Sequence, residues 1–348
     1  MCDNHAMIRF NNDYNQGAHP AILEALAATN GNAYPGYGLD GLSEAAADEI
    51  KKHLGGAEAD VHFLVGGTQA NFTVIARALR PHEAVLCPFS GHINVHETGA
   101  VENTGHKILT VPGKDGKISA EDIEKVASGY ESSTVPEHIN TPRLVYISLP
   151  TEYGTVYSKA ELEAISDACH RHGLYLFIDG ARLGYGLAAA DVTLQDLARL
   201  ADVFYIGGTK CGALFGEAVV LVNDGLKPYF RSYMKQNGAM LAKGWLLGLQ
   251  FLTLFKDGLY FSITAKAVGQ AMRIKAAFAE RGIPSFIDSP TNQQFVVVNE
   301  SQMAKLSEKY YYEYEDNLGN GLHSIRFCTS WATKDEDVDE LVKDIALL

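Results

Sequence analysis

Cysteine is scarce in this chain and shows no pattern. Its five residues (Cys2, Cys87, Cys169, Cys211 and Cys328) are odd in number and show no CxxC spacing. That argues against a disulfide framework and for a reducing compartment. Long apolar stretches are missing too: no run approaches the roughly 20 residues needed to span a bilayer. The opening Met-Cys-Asp-Asn-His-Ala-Met has no basic stretch ahead of an apolar core. A secretory signal is therefore not expected, and a cytoplasmic location is. Basic residues are outnumbered, with 29 Lys and Arg against 42 Asp and Glu, for a net charge of −13. This balance argues against nucleic acid and anionic membranes as partners. An anionic small molecule stays open, because a local pocket can be basic in an acidic protein. Internal repeats and low-complexity linkers are absent.

What remains is an ordinary globular composition, 348 residues with 47% hydrophobic and 20% charged. That length allows a large core and two domains. Strand-like and helix-like segments alternate. Strands are predicted at 61–65, 84–87, 108–111, 144–148, 174–178, 203–206 and 218–222. Helices are predicted at 69–79, 119–128 and 159–172. Continuous apolar strands separated by helices imply a mostly parallel sheet covered on both faces. Beyond about residue 225 the pattern changes. Long helical stretches are predicted at 238–255 and 261–281. Strand 294–298, helix 302–312, strand 323–328 and helix 334–346 follow. The division that results is a large domain over 41–235, then linking helices and a small α/β domain over 236–348. Residues 1–40 are expected to pack with these domains or with a partner subunit.

Two residues stand out. Lys210 lies in Tyr-Ile-Gly-Gly-Thr-Lys-Cys-Gly, and Asp179 ends the apolar run Leu-Tyr-Leu-Phe-Ile-Asp. Both fall at the carboxyl ends of predicted strands, where open α/β sheets place their sites. A lysine beside glycines, just past an apolar run, suits the amine that forms a Schiff base with pyridoxal 5'-phosphate (PLP). An acid in the position of Asp179 would keep the pyridine nitrogen protonated. The plainer readings are a snorkelling lysine at a strand end and an Asp-Gly turn. The paired glycines before Lys210 would permit close backbone approach to a ligand. Gly67, Thr68 and Gln69 open a helix, whose free N–H groups suit a phosphate. An ordinary Thr68 N-cap is the competing reading. His92, in Ser-Gly-His-Ile-Asn-Val-His-Glu, can stack on a ring and move protons near neutral pH. His96, four residues on, would make a metal pair with it, but no third ligand stands out, so no metal is expected. Arg182 lies three residues after Asp179 and can reach the same pocket. Arginine holds carboxylates with two parallel bonds. Arg326 is a second candidate for that role, although alone it reads more simply as a surface ion pair.

Together these residues resemble the fold-type I PLP-dependent enzymes, and more closely their low-specificity L-threonine aldolase and β-eliminating lyase group. The resemblance runs along nearly the whole chain. It is carried by Gly-Gly-Thr-Gln-Ala-Asn (66–71), Gly-His-Ile-Asn-Val-His-Glu-Thr-Gly-Ala (91–100), Asp-Gly-Ala-Arg-Leu-Gly (179–184) and Gly-Gly-Thr-Lys-Cys-Gly (207–212). Lys-Gln-Asn-Gly-Ala-Met-Leu-Ala-Lys-Gly (235–244) adds to it. It implies PLP carried on Lys210, Asp179 at the pyridinium and His92 above the ring. Gly67, Thr68 and Gln69 would form the phosphate loop, with Thr209 and Arg182 also near the cofactor. Arg182 and Arg326 match substrate-carboxylate positions. Tyr37 falls in a loop that reaches toward the site, from a neighbouring subunit in this group. A homodimer or homotetramer with shared sites is implied as well.

The chain departs from the group in two places. Asn11, Asn12, Asp13 and Tyr14 stand where Arg-Ser-Asp-Thr is common, which puts Asn12 near the carboxylate. Leu-Pro-Thr-Glu-Tyr stands where Glu-Asn-Thr-His-Asn is common, which puts Glu152 near the cofactor. The expected reaction is retro-aldol cleavage of L-threonine or a related β-hydroxy-α-amino acid to glycine and an aldehyde. β-Elimination and transamination are the alternatives on the same scaffold, and a non-enzymatic binding module is the third.

Overall fold

The computed structural model describes residues 7–348. Residues 1–6 lie outside it, and with them Cys2 and most of the segment inspected for a secretory signal. A two-residue strand, β1 (Ile8–Arg9), opens the described chain. The large sheet is built from β2 (Asp60–Leu64), β3 (Glu83–Pro88), β4 (Lys107–Val111), β5 (Thr141–Ser148), β6 (Tyr175–Asp179), β7 (Val203–Gly207) and β8 (Glu217–Leu221). Its order is β2-β8-β7-β6-β5-β3-β4. Every neighbour pair is parallel except those of β8, which runs against both β2 and β7. The short connection 208–216 holds no helix, so it can only return the chain antiparallel.

The apolar runs read in the sequence are these strands. Every residue of β3, β7 and β8 is buried, as expected for strands covered on both faces. Alternation sorts the side chains between two cores. Val145 and Ile147 of β5 join the cluster under helix Lys159–Arg171, and Leu144 and Tyr146 join the one under helix Gly67–Ala78. Each fully buried Val, Leu, Ile or Phe contributes about 1.5–3 kcal/mol to the folded state. Capping boxes start the covering helices at Ser119 and Ser158.

The second unit holds β9 (Ser285–Ile287), β10 (Gln293–Asn299), β11 (Tyr310–Tyr311), β12 (Glu313–Gly319) and β13 (Leu322–Cys328). Four of these form an antiparallel sheet in the order β12-β13-β10-β9, while β11 pairs with β1. Helix Leu259–Glu280 joins the units. Its Tyr260 and Ala267 lie in the large-sheet core, and its Ile274 and Phe278 in the small one. The N-terminal segment touches both. Phe10 is fully buried in the small core, and helix Pro20–Thr29 places Ile22 in the large one.

Two predicted helices differ from those observed. The stretch 238–255 is helical only from Trp245, after a separate helix Phe230–Gln236. Gly238 adopts a left-handed φ of 69° there, and a Cβ on Gly244 would lie 2.5 Å from the Gly38 nitrogen. The stretch 302–312 is helical only over Glu300–Ser307, because Tyr310 leaves it to pair with Ile8. Strand β12 escaped prediction altogether. Every one of its residues is exposed, so it carries no apolar alternation.

Candidate active site

The carboxyl ends of the parallel strands, with the start of β8, meet at one edge of the large sheet. Asp179 closes β6 in register with Ser148, the last residue of β5. Lys210 follows β7 by three residues. The glycines around it are packed against the protein's own backbone. A Cβ on Gly207 would lie 2.3 Å from the Ala181 carbonyl oxygen, and one on Gly208 2.8 Å from that of Gly216. A Cβ on Gly180 would lie 1.9 Å from the Tyr205 carbonyl oxygen. The ends of β6 and β7 therefore meet over bare backbone, and this places Asp179 and Lys210 on one cavity.

That cavity, of about 240 Å³, is lined by Gly66, Gly67, Thr68, Asp179, Thr209 and Lys210, among others. A larger one, of about 980 Å³, is lined by Tyr14, His96 and Arg326. The two share His92, Glu152, Arg182 and Lys210 as walls. Burial lowers the pKa of Lys210, and the neighbouring charge of Arg182 adds to the effect. Asp13, Asp179 and Glu217 oppose the shift without cancelling it. A lysine so placed gives up its proton more readily than one in water, as a nucleophilic amine must.

Asp179 is held by four donors. Its Oδ2 accepts from Tyr146 Oη at 2.5 Å and Asn71 Nδ2 at 3.0 Å. Its Oδ1 accepts from the Ala181 N–H at 2.9 Å and from the Tyr205 hydroxyl. Burial, and then the charge of Asp179, hold both phenols well above their ordinary pKa, so they remain donors. Asn71 Nδ2 also donates to Glu97 Oε1 at 2.7 Å. The same oxygen lies 2.8 Å from His92 Nδ1. Burial disfavours charge on His92, but the Glu97 hydrogen bond and the Asp179 charge outweigh it and raise its pKa. One polar network thus joins the imidazole to the acid at the end of β6.

Thr68 is not an N-cap. The cap position is Gly66, no side chain caps the helix, and the Ala70 N–H is the one that bonds back to the Gly66 carbonyl. The leading N–H groups are left for a ligand. A Cβ on Gly66 would meet nothing within 4 Å, so there is open space at this cradle. The Gln69 side chain turns away, accepting from the Val65 N–H and donating to the Asn237 carbonyl, both at 3.2 Å. Only its backbone faces the helix end. Glu152 Oε1 accepts from Ser148 Oγ at 2.8 Å and from the His92 N–H at 3.0 Å. Its Oε2 is buried without a partner, and burial raises its pKa. Glu217 accepts from Thr209 Oγ1 at 2.8 Å and the Gly208 N–H at 3.1 Å, and burial pushes its pKa up to about 8.

Arg182 is largely spoken for. Its Nε and Nη2 fork onto Asp13 at 2.7 and 3.0 Å. Arg326 donates from Nη2 to the Asn11 carbonyl at 3.3 Å, and its Nη1 lies 3.3 Å from Glu315 Oε1. Asn12 lines neither cavity; its Oδ1 accepts from the Tyr14 N–H at 3.0 Å. Tyr37 is also elsewhere, on a third cavity with Arg231, and Lys235 Nζ lies 4.8 Å from its ring centre. His96 lines the large cavity, with its ring 5.4 Å from that of His92. Among the described residues no group of three or more His, Cys, Asp or Glu could hold a metal ion. Sequence reasoning missed Asn71, Glu97, Tyr146, Tyr205 and Glu217 as parts of the site, and Asp13 as the partner of Arg182. Glu97 alone had a local signal, five residues after His92.

An amine, an anchored carboxylate, a helix N-terminus with open space and a buried, unpartnered Glu152 oxygen fit the amine-bound ring and phosphate of PLP. This fold and site define the fold-type I class. The chain belongs to the β-eliminating lyase family, whose profile matches residues 13–328. It is 31% identical over 342 residues to the low specificity L-threonine aldolase of Pseudomonas sp. (strain NCIMB 10558), covering 97% of this chain and 96% of that one. The solved structure of Leishmania major threonine aldolase is 46% identical, with a TM-score of 0.94 over 97% of this chain and 98% of that one. An aspartate aminotransferase of Thermus thermophilus, 15% identical with a TM-score of 0.70 over 98% of this chain and 91% of that one, shares the fold. Among the described residues no helix is long and apolar enough to cross a membrane.

Proposed function

We propose that this protein is a PLP-dependent lyase that cleaves L-threonine, L-allo-threonine or a related β-hydroxy-α-amino acid to glycine and an aldehyde. The observation that carries the reading is a buried Lys210 on one cavity with Asp179 and an uncapped helix N-terminus, with the His92 imidazole on the same cavity. Lys210 Nζ would hold PLP covalently, the N–H groups of Gly67, Thr68 and Gln69 its phosphate, and Asp179 its ring nitrogen. When bound, PLP supplies an electron sink for the α-carbon.

The side chains then have separate tasks. Arg326, and the Arg182 N–H groups not taken by Asp13, orient the substrate carboxylate and so fix which α-carbon bond lies across the ring. Glu97 holds His92 by Nδ1, which leaves Nε2 to take the β-hydroxyl proton. Glu152, fixed by Ser148, closes the wall between cofactor and substrate. Thr209 holds Glu217 on the cavity that it shares with Lys210. Asn12 acts through Tyr14, whose turn it fixes. We further infer a homodimer or homotetramer in which Tyr37 serves a neighbouring subunit's site, since it lies outside its own. A cytoplasmic setting is supported by four buried free thiols, Cys87, Cys169, Cys211 and Cys328.

The test is acetaldehyde release from L-threonine by the PLP-loaded protein, followed by coupled reduction. Lys210→Ala should abolish it while leaving the fold intact by circular dichroism. No product from threonine, allo-threonine, serine or phenylserine would overturn the aldolase reading. Pyruvate and ammonia from L-serine would point to β-elimination instead.

A further inference from the structure

The large cavity carries an acid that the proposed reaction does not use. Glu315 lies on β12, an edge strand exposed along its whole length. The pairing with β13 slips there: Tyr314 faces Ile325 and Asp316 faces Ser324, so Glu315 has no residue opposite it. An extra residue of this kind breaks the alternation of a strand and re-aims a side chain. Here the side chain lines the cavity with Arg182, Lys210 and Arg326, and its Oε1 lies 3.3 Å from Arg326 Nη1.

The two arginines are held differently. Arg182 is forked onto Asp13, which is itself buried and anchored by Asn292 Nδ2 at 2.9 Å. Arg326 meets Glu315 as a loose ion pair, with the acid's side chain 29% exposed. Arg326 Nε is buried with no partner at all. One guanidinium is locked by its acid, while the other keeps an unsatisfied Nε beside a partly exposed acid.

We propose that Glu315 is a displaceable counter-ion for Arg326, which the substrate carboxylate must replace, and that it bars amino acids carrying a second carboxylate. The inference rests on the reading that Arg326 receives the substrate carboxylate. Once displaced, Glu315 stays tethered to β12 at the mouth of the cavity. A neutral β-substituent meets no penalty there. A carboxylate on the β-carbon meets a like charge, which selects against the wrong substrate by repulsion. The substrate class is therefore monocarboxylic β-hydroxy amino acids.

The experiment compares PLP-loaded wild type with Glu315→Gln and Glu315→Ala. Binding of glycine and of L-aspartate is measured by calorimetry, and steady-state kinetics with L-threonine run alongside. Both variants should bind glycine about fivefold tighter, the factor of a partly exposed ion pair. L-aspartate should gain more than glycine, and the kinetic change should fall in KM rather than kcat. Arg326→Gln should weaken glycine binding, and Glu315→Gln in that background should no longer help. Glycine binding unchanged or weaker in the Glu315 variants, or an equal gain for glycine and aspartate, overturns the inference. Failure of the aldolase reading shows separately, as absent acetaldehyde with the binding shifts intact.

Discussion

Asp13→Asn tests how the site is tied to the fold. Asp13 is 1% exposed and accepts from Arg182 Nε at 2.7 Å, Arg182 Nη2 at 3.0 Å and Asn292 Nδ2 at 2.9 Å. It joins the N-terminal segment to both sheets. Asparagine keeps the shape but turns a neutral amide toward a guanidinium whose side chain is only 16% exposed. Removing one partner of a buried ion pair costs about 3–5 kcal/mol. The residual exposure of Arg182 puts the loss at the lower end, about 3 kcal/mol. Urea unfolding of wild type, Asp13→Asn, Arg182→Met and the double variant measures it. The double variant should lose less than the sum of the singles by about 2 kcal/mol. The pH dependence has a fixed sign. Burial opposes ionisation of Asp13, but the charges of Arg182 and Lys210 prevail and hold its pKa below the ordinary 3.8. A depressed carboxylate stabilises above its unfolded value, and the contribution is lost as pH falls through the folded one. The gap between wild type and Asp13→Asn should be flat from about pH 8 to 5 and close below about pH 4. A loss under about 1 kcal/mol at pH 7, or a gap undiminished at pH 3, would refute the reasoning.

Two further perturbations address the cofactor end. Glu97→Gln replaces the charged acceptor that raises the His92 pKa with a neutral one, so the acidic limb of kcat/KM should move to lower pH. The plateau rate should fall roughly ten- to hundredfold, because a neutral acceptor holds and polarises the imidazole less strongly; a pH-rate profile unmoved on its acidic side would separate Glu97 from His92. Gly66→Val and Gly180→Ala make a contrasting pair. The first enters open space at the helix N-terminus, so stability should change within about 0.5 kcal/mol while PLP binding, read by absorbance titration, weakens about tenfold. The second drives a methyl to 1.9 Å from the Tyr205 carbonyl oxygen and should destabilise the fold by roughly 2–4 kcal/mol.

Lys210 and Asp179 were legible because buried parallel strands read as continuous apolar runs, and what interrupts such a run is conspicuous. β6 and β7 announce themselves, and the polar residues at their ends announce the site. Long-range polar pairing leaves no such mark. Asp13 and Arg182 are 169 residues apart, and Asn71 and Asp179 are 108 apart. No periodicity connects either pair, so the partner of a buried charge had to be seen. β12 was illegible for the opposite reason, since a fully exposed strand has no face to alternate. The glycines before Lys210 were noticed for the room they leave a ligand, and the structure adds a second reason for them: the backbone of 181 and 216 approaches too closely for a Cβ.

The charges divide along the cavity in a way that matches the two ends of the proposed chemistry. At the substrate end the arginines are matched with acids, Arg182 with Asp13 from the N-terminal segment and Arg326 with Glu315 from the neighbouring strand. At the cofactor end Asp179, Glu152 and Glu217 are held by neutral donors, which position an acid without cancelling its charge. Glu217 shows what that costs the fold. Burial lifts its pKa from 4.5 to about 8, so between those values the folded protein binds a proton that the unfolded chain has released. Stability must therefore fall as pH rises through that window. Glu217→Gln removes the contribution and keeps the Thr209 and Gly208 contacts in reach. The variant should match wild type near pH 4.5 and become progressively more stable than it toward pH 8, by a few kcal/mol at most. The Glu217 charge also raises the Lys210 pKa, so the difference between their unfolding free energies reports the coupled pair. Parallel curves across this range would mean that Glu217 is ionised at neutral pH on the cavity it shares with Lys210, and that the lysine sits in a far more negative field than its burial implies.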